Sequence, residues 1–326
     1  MAQDYGRTAA GEAVQAVTLA AGDLEVRLLT LGAILQSVRL AGVAHELTLG
    51  SVRIVDYEGP MRYHGAIVGP VANRITGARA VIAGVEHRFQ GMGDPPVTLH
   101  SGDAGIHAKV WALAGADAGS AVLTLDLPAG EGGFPGNRRI EARFAVLPPA
   151  TLRLTLTART DAPTLMNLAN HSYWNLDGTP DWGGHRLRVL ADRVLAHHAD
   201  GRVAGPVLAV AGTGFDLREG AVMQPDAPPL DHNFCLADTR RPLTEALVLT
   251  GTSGLSMTVA TTEPGIQVYD GRAAIRPGHG HYEGLAIEPQ FWPDAPAHGG
   301  YPSITLAPGQ DWQQVSEWRF AQAPAA

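Results

Sequence analysis

The sequence has a single cysteine and no long hydrophobic run, and both shortages narrow the possible classes of protein. Cys235 has no partner within the 326-residue chain, so an intramolecular disulfide is impossible and an oxidising compartment gains no support. No stretch reaches the roughly 18 apolar residues that a membrane-spanning helix needs. The first residues show no basic segment followed by an apolar one. We therefore expect a cytoplasmic protein without a membrane partner.

Basic residues are also scarce. The 24 Lys and Arg are outnumbered by 32 Asp and Glu, which leaves a formal net charge of −8. A nucleic-acid-binding surface needs clustered positive charge, so this balance argues against a nucleic-acid partner and favours an uncharged or weakly charged ligand. The contents of hydrophobic residues (45%) and charged residues (17%) are typical of a globular chain and not of a disordered one.

Helical periodicity is weak, whereas strand patterns recur along the chain. Apolar and polar residues alternate, and so predict strands with one buried face, in segments such as 24–29, 121–128, 139–146, 151–159, 185–191 and 255–261. Turns rich in Gly and Pro separate these segments. The segment 240–251 (RRPLTEALVLTG) alone favours one or two helical turns. Without an internal repeat or a linker, the pattern predicts an all-β protein, one large antiparallel β-sandwich over residues 1–326.

Small clusters of polar and aromatic residues interrupt the β pattern at strand ends and in loops, where a rigid sheet presents functional groups. The clusters are ANRITG (72–77), TLHSGDAGIHAKVW (98–111), NHSYW (170–174), DHNF (231–234), TTEPGIQVYDG (261–271) and AIEPQFWPDAP (286–296). Each cluster alone has a structural explanation, because a lone histidine is usually a hydrogen-bonded structural residue and DHNF has the composition of a turn.

Together the clusters supply the parts of a sugar-binding site. Sugar hydroxyls pair with carboxylates, amides and a guanidinium, and the apolar C–H faces of a sugar pack on aromatic rings. The candidate hydroxyl ligands are Asn73, Arg74, Asp231 and Gln267, and the candidate rings are Tyr173 and Trp174, although Trp174 is equally suited to the core. Titratable groups are added by His100, His171 and Glu288. A histidine paired with a carboxylate is a common general acid/base couple near neutral pH.

The order of these motifs resembles the aldose 1-epimerase, or galactose mutarotase, family. The similarity extends over nearly the full chain, from YHGAIVGPVANRI to YPSITLAPGQDW, and includes NLANHSYWNL, DHNF and EPQFWPDAP. It implies a galactose-mutarotase-like supersandwich and an isomerase acting on a small monosaccharide. It also implies sugar binding by Asn73, Arg74, His100, Tyr173, Asp231 and Gln267, with His171 as general acid and Glu288 as general base. The chain departs from the family pattern in places, for example at Ser101, where Gly is usual.

The implied reaction needs neither a cofactor nor a metal. Glu288 takes the proton of the anomeric hydroxyl, His171 protonates the ring oxygen, and the opened sugar recloses on its other face. Glu288 follows apolar residues that suit a buried strand, so we expect desolvation to raise its pKa. An unperturbed imidazole titrates at about 6.5, so we expect His171 to need little adjustment.

Three other functions and one other site are compatible with parts of the pattern. An epimerase of a sugar phosphate would need more cationic groups at the cleft, a non-catalytic sugar-binding β-sandwich would not need both His171 and Glu288, and a glycosidase would need two catalytic carboxylates. The segment HGHYE places His279, His281 and Glu283 at alternate positions, which on a strand would suit a metal. Its Gly- and Pro-rich surroundings favour a loop, so we expect no metal site. The sequence does not select the aldose, nor a monomer over a homodimer.

Overall fold

The computed structural model describes residues 2–225 and 229–322, and it confirms the all-β prediction. Strands form where apolar and polar residues alternate, because that pattern buries one face of a sheet. The strands Leu24–Leu29 and Leu255–Thr261 have the predicted bounds, and Arg138–Leu147 extends the predicted segment by one residue at each end. Local alternation alone therefore located these elements.

The described residues form 27 strands and one short α-helix, α1, which spans Ile54–Tyr57. The first fourteen strands are β1 Gln3–Arg7, β2 Ala13–Ala21, β3 Leu24–Leu29, β4 Ile34–Leu40, β5 Ile67–Val68, β6 Arg74–Thr76, β7 Arg79–Ile82, β8 Val85–Arg88, β9 Val97–Leu99, β10 Ala112–Ala116, β11 Ser120–Leu127, β12 Arg138–Leu147, β13 Thr151–Thr160 and β14 Thr164–Leu165. The others are β15 Ala169–Asn170, β16 Tyr173–Trp174, β17 Arg186–Val189, β18 Arg193–His197, β19 Val203–Ala209, β20 Ala221–Val222, β21 Asp231–Cys235, β22 Thr244–Thr250, β23 Leu255–Thr261, β24 Gly265–Tyr269, β25 Leu285–Gln290, β26 Thr305–Leu306 and β27 Trp312–Gln322.

Three sheets carry most of the fold. A nine-stranded sheet has the order β10-β11-β12-β13-β27-β23-β22-β17-β20, a six-stranded sheet has the order β16-β25-β24-β21-β18-β19, and β1 to β4 form a third sheet in sequence order. Four two-stranded pairs complete the structure, namely β5–β15, β6–β9, β7–β8 and β14–β26. The sheets are antiparallel, as the short turns between alternating segments require.

The largest core cluster draws side chains from all three sheets. Its members include Ile287 of β25, Ile266 of β24, Leu249 of β22, Met257 of β23 and Leu35 of β4. Strand β25 is buried along its whole length. Because side chains alternate along a strand, Leu285 and Ile287 enter this core, while Ala286 and Glu288 face the opposite side.

Two expectations about local structure are wrong. Residues 244–250 are a strand and not a helix, since β22 pairs with β17 on one side and with β23 on the other. These cross-strand contacts outweigh the weak helical tendency of the segment. The DHNF residues are likewise not a turn, because they lie within β21. In the described ranges, no helix combines the length and the apolar character that crossing a bilayer requires.

Trp174 belongs to the core and not to a ligand-binding surface. Its side chain has no solvent exposure, and its ring lies 6.0 Å from that of Trp318 and 5.8 Å from that of Phe320. The structure therefore assigns Trp174 to packing.

We expect Trp174→Ala to lower the free energy of unfolding by about 3–5 kcal/mol, because it removes a large buried ring and leaves a cavity. Urea denaturation monitored by circular dichroism would measure the change. Val222→Ala is a suitable control, since Val222 is 57% exposed and should alter stability by less than about 0.5 kcal/mol. Wild-type stability of Trp174→Ala would contradict the core assignment.

Candidate active site

The non-core face of the six-stranded sheet brings several predicted residues together through strand register. Gln267 of β24 lies opposite Glu288 of β25, and Asn233 of β21 lies opposite Gln267. Asp231, two residues before Asn233, shares that face, and its Oδ1 accepts a 2.6 Å hydrogen bond from Nε2 of Gln267. Tyr173 of β16 lies opposite Ala286, two residues before Glu288. Four predicted residues, from four separate strands, thus line one surface together with Asn233.

The antiparallel pair β6–β9 contributes three more predicted residues. Arg74 lies opposite Leu99 in this pair, so the preceding Asn73 and the following His100 meet at its end. The backbone N–H of Asn73 donates to Nδ1 of His100 (3.1 Å), and the backbone N–H of His100 donates to the carbonyl oxygen of Asn73 (2.8 Å). In the neutral ring, Nε2 of His100 therefore carries the proton and is available as a donor.

The same end of the β6–β9 pair holds unusual backbone conformations. Asn73, His100 and Ser101 have φ values of 62°, 46° and 67°, a left-handed region that non-glycine residues seldom adopt and that is enriched at functional sites. The Ser101 hydroxyl accepts a 2.8 Å hydrogen bond from the backbone N–H of Val71 and lies 3.2 Å from its carbonyl oxygen. These contacts stabilise Ser101 in a conformation that a glycine would adopt without strain.

Arg74 and Asp231 form an ion pair at the more exposed edge of the cleft. The distance between Nη2 of Arg74 and Oδ2 of Asp231 is 3.3 Å, and the two side chains are 22% and 34% exposed. Nη1 of Arg74 also donates to Oδ1 of Asn73 at 3.3 Å. Because both partners retain solvent access, a polar ligand can compete for their hydrogen bonds.

Most polar side chains of the dense segment 167–175 hold the backbone. Asn167 pairs with both backbone groups of Phe291 through hydrogen bonds of 2.9 and 3.4 Å. Asn170 donates to the carbonyl oxygen of Gly65 and accepts from the Ser172 hydroxyl, and the backbone N–H of His171 donates to the carbonyl oxygen of Ala66 at 2.9 Å. These bonds fix the strand exit from which the His171 side chain enters the cleft.

His171 and Glu288 face each other in the deepest part of the site. Nε2 of His171 lies 3.6 Å from Oε1 of Glu288, and the two residues are 5% and 2% exposed. Within the described residues, Nδ1 of His171 and Oε2 of Glu288 have no hydrogen-bond partner. Buried polar atoms without partners are uncommon, so each of these two residues retains one atom that can form a further hydrogen bond.

Burial shifts the two groups in opposite directions. Desolvation, with a smaller contribution from Asp231, raises the pKa of Glu288 well above its ordinary value, in the predicted direction. Desolvation lowers the pKa of His171 to about 4, so the expectation that this imidazole needs little adjustment is wrong. Burial also lowers the pKa of His100 well below its ordinary value, which keeps its ring neutral.

A wall of aromatic and imidazole rings closes one side of the cleft, and sequence reasoning missed most of it. The ring of Tyr63 lies 4.7 Å from that of His100, 4.8 Å from that of His107 and 5.7 Å from that of His171. His64 stacks on Tyr173 with the ring centroids 4.2 Å apart. The position of the YH dipeptide just before the ANRI motif was the available signal.

All eight predicted site residues are joined by a continuous series of contacts. The hydrogen bonds and ion pair described above link Asn73 to His100 and Arg74, Arg74 to Asp231, and Asp231 to Gln267. The ring of His171 lies 5.3 Å from that of His100 and 5.2 Å from that of Tyr173, and Nε2 of His171 faces Glu288. The residues come from six separate parts of the chain.

The HGHYE segment lies in the loop between β24 and β25, as predicted, and forms a charged cluster there. Nδ1 of His279 lies 2.8 Å from Oε1 of Glu283, and the guanidinium of Arg276 donates to both carboxylate oxygens of Glu283. In the part of the chain that the structure describes, no group of three His, Cys, Asp or Glu residues is arranged to hold a metal ion.

Comparisons with known proteins show which family this sequence resembles. The family model described as Aldose 1-epimerase matches residues 15–319. Galactose mutarotase of Rattus norvegicus is 30% identical over 333 residues, 96% of each chain. Aldose 1-epimerase of Escherichia coli K12 is 30% identical over 322 residues, with 90% of this chain and 91% of the relative covered.

Solved structures show the same fold. An aldose epimerase homologue from C. elegans superposes with a TM-score of 0.88 at 26% identity, covering 94% of this chain and 99% of the other. Galactose 1-epimerase from Lactobacillus acidophilus superposes with a TM-score of 0.86 at 26% identity, covering 99% and 98%. The match to the family model over residues 15–319 and the 30% identity to curated members lead to one conclusion: the chain belongs to the aldose 1-epimerase family.

Proposed function

We propose that this isomerase interconverts the α and β anomers of a free aldose, with Glu288 as general base and His171 as general acid. The observation that supports the assignment is the buried pair itself, whose facing atoms are 3.6 Å apart. Each residue also keeps one polar atom without a partner among the described residues. A pair in a purely structural role would be expected to satisfy those atoms.

The mechanism begins with one proton entering and one leaving the pair. Glu288 takes the proton of the anomeric hydroxyl while His171 gives its proton to the ring oxygen, and the bond between the anomeric carbon and the ring oxygen breaks. The resulting aldehyde rotates about the bond between its first two carbons. Ring closure on the opposite face reverses both proton transfers and restores the starting protonation state, so the reaction consumes no co-reactant.

The protonation state of the buried pair favours the open-chain stage. Because burial raises the pKa of Glu288 and lowers that of His171 to about 4, a single proton shared by the pair resides on Glu288 in the sugar-free site. Ring opening converts a carboxylate and an imidazolium into this same neutral pair. The site therefore stabilises the arrangement that accompanies the aldehyde, and the bound sugar must stabilise the reactive ion pair.

The remaining residues are proposed to hold the sugar. Arg74 and Asp231 at the exposed edge, with Gln267 and Asn73 below them, present complementary donors and acceptors for hydroxyl groups. His100 offers a neutral Nε2–H, because its Nδ1 accepts from Asn73. Tyr173, which is 4% exposed, supplies an apolar face. Positioning by such contacts contributes to the rate together with acid/base catalysis.

Two features of the site favour a free-sugar isomerase over the alternatives. A glycosidase would need a second catalytic carboxylate, whereas the group that faces Glu288 is the imidazole of His171. A sugar-phosphate epimerase would need a cation whose charge is not balanced by the protein, whereas Asp231 lies 3.3 Å from Arg74 and balances its charge.

The proposal also covers the substrate class, the domain organisation, and the cellular location with the oligomeric state. The substrate is a small monosaccharide, as the names of the relatives indicate for those proteins. Residues 1–326 act as one domain, supported by a core cluster that unites three sheets. The protein works in the cytoplasm as a monomer or a homodimer.

We expect Glu288→Gln and His171→Asn each to reduce turnover by about 10²- to 10⁴-fold, because each removes one proton-transfer group while keeping a similar shape. Polarimetry on freshly dissolved α-D-glucose and α-D-galactose would measure the rates. The double variant should be at most slightly slower than the slower single variant, because the two groups act as a unit. Glu245→Gln, a surface carboxylate change, is the control. Near wild-type turnover by Glu288→Gln would refute the assignment and favour a sugar-binding protein.

The pH profile of kcat/KM should have an unusually low acid limb. Activity requires one proton on the pair, so it falls when a second proton binds and when the single proton is lost. Because the pKa of His171 is lowered to about 4, we expect activity to persist below the pH of about 6.5 at which an unshifted histidine would titrate. Polarimetry corrected for uncatalysed mutarotation tests this. An acid limb at the unshifted value would contradict the burial argument.

We expect Asp231→Ala to raise KM by about 10- to 100-fold, which corresponds to the loss of a charged hydrogen bond worth about 1.5–3 kcal/mol. The Asp231 side chain is 34% exposed, so the melting temperature should change little. Asp192→Ala provides a matched control, because Asp192 also pairs with an arginine, Arg218, but is 82% exposed. A sharp fall in melting temperature with unchanged Michaelis parameters would identify Asp231 as a structural residue.

A further inference from the structure

Buried amides surround the proposed base on the non-core face of the six-stranded sheet. Gln290 follows Glu288 by two residues on β25, Gln267 lies opposite Glu288 on β24, and Asn233 lies opposite Gln267 on β21. The three amide residues have no solvent exposure. Gln267 is already assigned to the sugar, whereas Gln290 and Asn233 have no role in the mechanism above.

These amides are poorly satisfied by the protein. Both amide atoms of Gln290, Oδ1 of Asn233, Oε1 of Gln267 and Oε2 of Glu288 have no hydrogen-bond partner among the described residues. A buried polar atom without a partner is costly, and an apolar side chain of similar size would avoid that cost. The concentration of such atoms beside one carboxylate points to a role for them there.

A missing side chain makes room for the Asn233 amide over β24. Gly265 lies opposite Gln290 in the sheet, and a Cβ atom at Gly265 would come within 2.6 Å of Oδ1 of Asn233 and 3.0 Å of Cδ1 of Trp292. The glycine therefore leaves the space over β24 that the Asn233 amide occupies. This packing directs Asn233 across β24 towards the strand that carries Gln290 and Glu288.

We propose that Gln290 and Asn233 are positioning residues for Glu288, holding bound water that donates a hydrogen bond to its Oε2. Water fits this role because buried water typically bridges about three otherwise unsatisfied polar groups. The donated bond would hold Oε1 towards His171 and favour the ionised carboxylate that ring opening requires. This inference rests on the proposed function, in which Glu288 is the base.

The effect of the amides has to be separated from that of the charged and titratable groups that face Glu288. Those groups are His171 after β15, Tyr173 of β16, Asp231 of β21, Arg74 of β6 and Tyr269 of β24. Burial is the main cause of the raised pKa of Glu288, Asp231 raises it further, and Arg74 lowers it. Hydrogen bonds donated to the carboxylate also lower its pKa. The water held by the amides would therefore lower the pKa of Glu288, as Arg74 does, without adding charge.

The test is the pH dependence of kcat/KM for Gln290→Met and Asn233→Leu, which replace each amide by an apolar group of similar size. Losing the hydrogen bond that the water donates to Glu288 destabilises the ionised carboxylate and raises its pKa. A smaller fraction of the singly protonated pair is then in the reactive carboxylate–imidazolium form. We expect the plateau to fall about tenfold and the alkaline limb to rise by about one pH unit. At pH values above the alkaline limb, Glu288 is ionised in the wild type and in each variant, so their values of kcat/KM should converge.

Gln314→Met is the matched control. Gln314 is also a buried glutamine with an unpartnered Oε1, but it lies on β27 and its Nε2 donates to the carbonyl oxygen of Pro289. We expect it to lower the melting temperature without moving the alkaline limb. If either test variant fails to fold, Gln290→Asn, which withdraws the amide by one methylene group, carries the same expectation.

The outcomes separate the two proposals. An unchanged alkaline limb in Gln290→Met and Asn233→Leu, with or without a loss of stability, would overturn the positioning role while leaving Glu288 as the base. A fully active Glu288→Gln protein would instead overturn the proposed function, whatever the amide variants do. A shifted limb in the amide variants together with an inactive Glu288→Gln protein would support both.

Discussion

The site depends on one constraint: β25 is buried on both faces, and one of those faces carries a carboxylate. Leu285 and Ile287 tie the strand to the main core, which forces Glu288 into the opposite, solvent-poor side at 2% exposure. A carboxylate in that position cannot ionise as it would in water. The altered proton affinity, the facing imidazole and the surrounding amides all follow from this placement.

Rigid backbone around the pair makes that placement useful. Asn73 and His100 lock together through two backbone hydrogen bonds in left-handed conformations, and Asn167 and Asn170 fasten the strand exit that carries His171. A proton-transfer site needs its groups held within a fraction of an ångström. The dense polar segment therefore serves mainly to hold one histidine in place.

The opposite pKa shifts of Glu288 and His171 give the cleft a chemical preference. In the proposed mechanism, the neutral pair that burial favours is the pair that exists while the sugar is open, so the protein and the intermediate are matched in protonation. The ring-closed complex is correspondingly less favourable, because the carboxylate of Glu288 and the imidazolium of His171 must both form there in a buried site. Arg74, which lowers the pKa of Glu288, and the water proposed to be held by Gln290 and Asn233 can offset this cost, since both favour the ionised carboxylate.

The sequence alone determined the all-β class, the bounds of strands such as Leu24–Leu29 and Leu255–Thr261, and the identity of the eight candidate residues. Alternation is a local property, and the family motifs are short continuous segments, so both are readable without coordinates. The tertiary structure decided what depends on distant neighbours. It made 244–250 a strand through pairing on two sides, placed Trp174 in the core, and lowered the pKa of His171 by burial. It also assembled the ring of Tyr63 and the amides of Asn233 and Gln290 around the pair, because burial and register arise only when separate strands pack together.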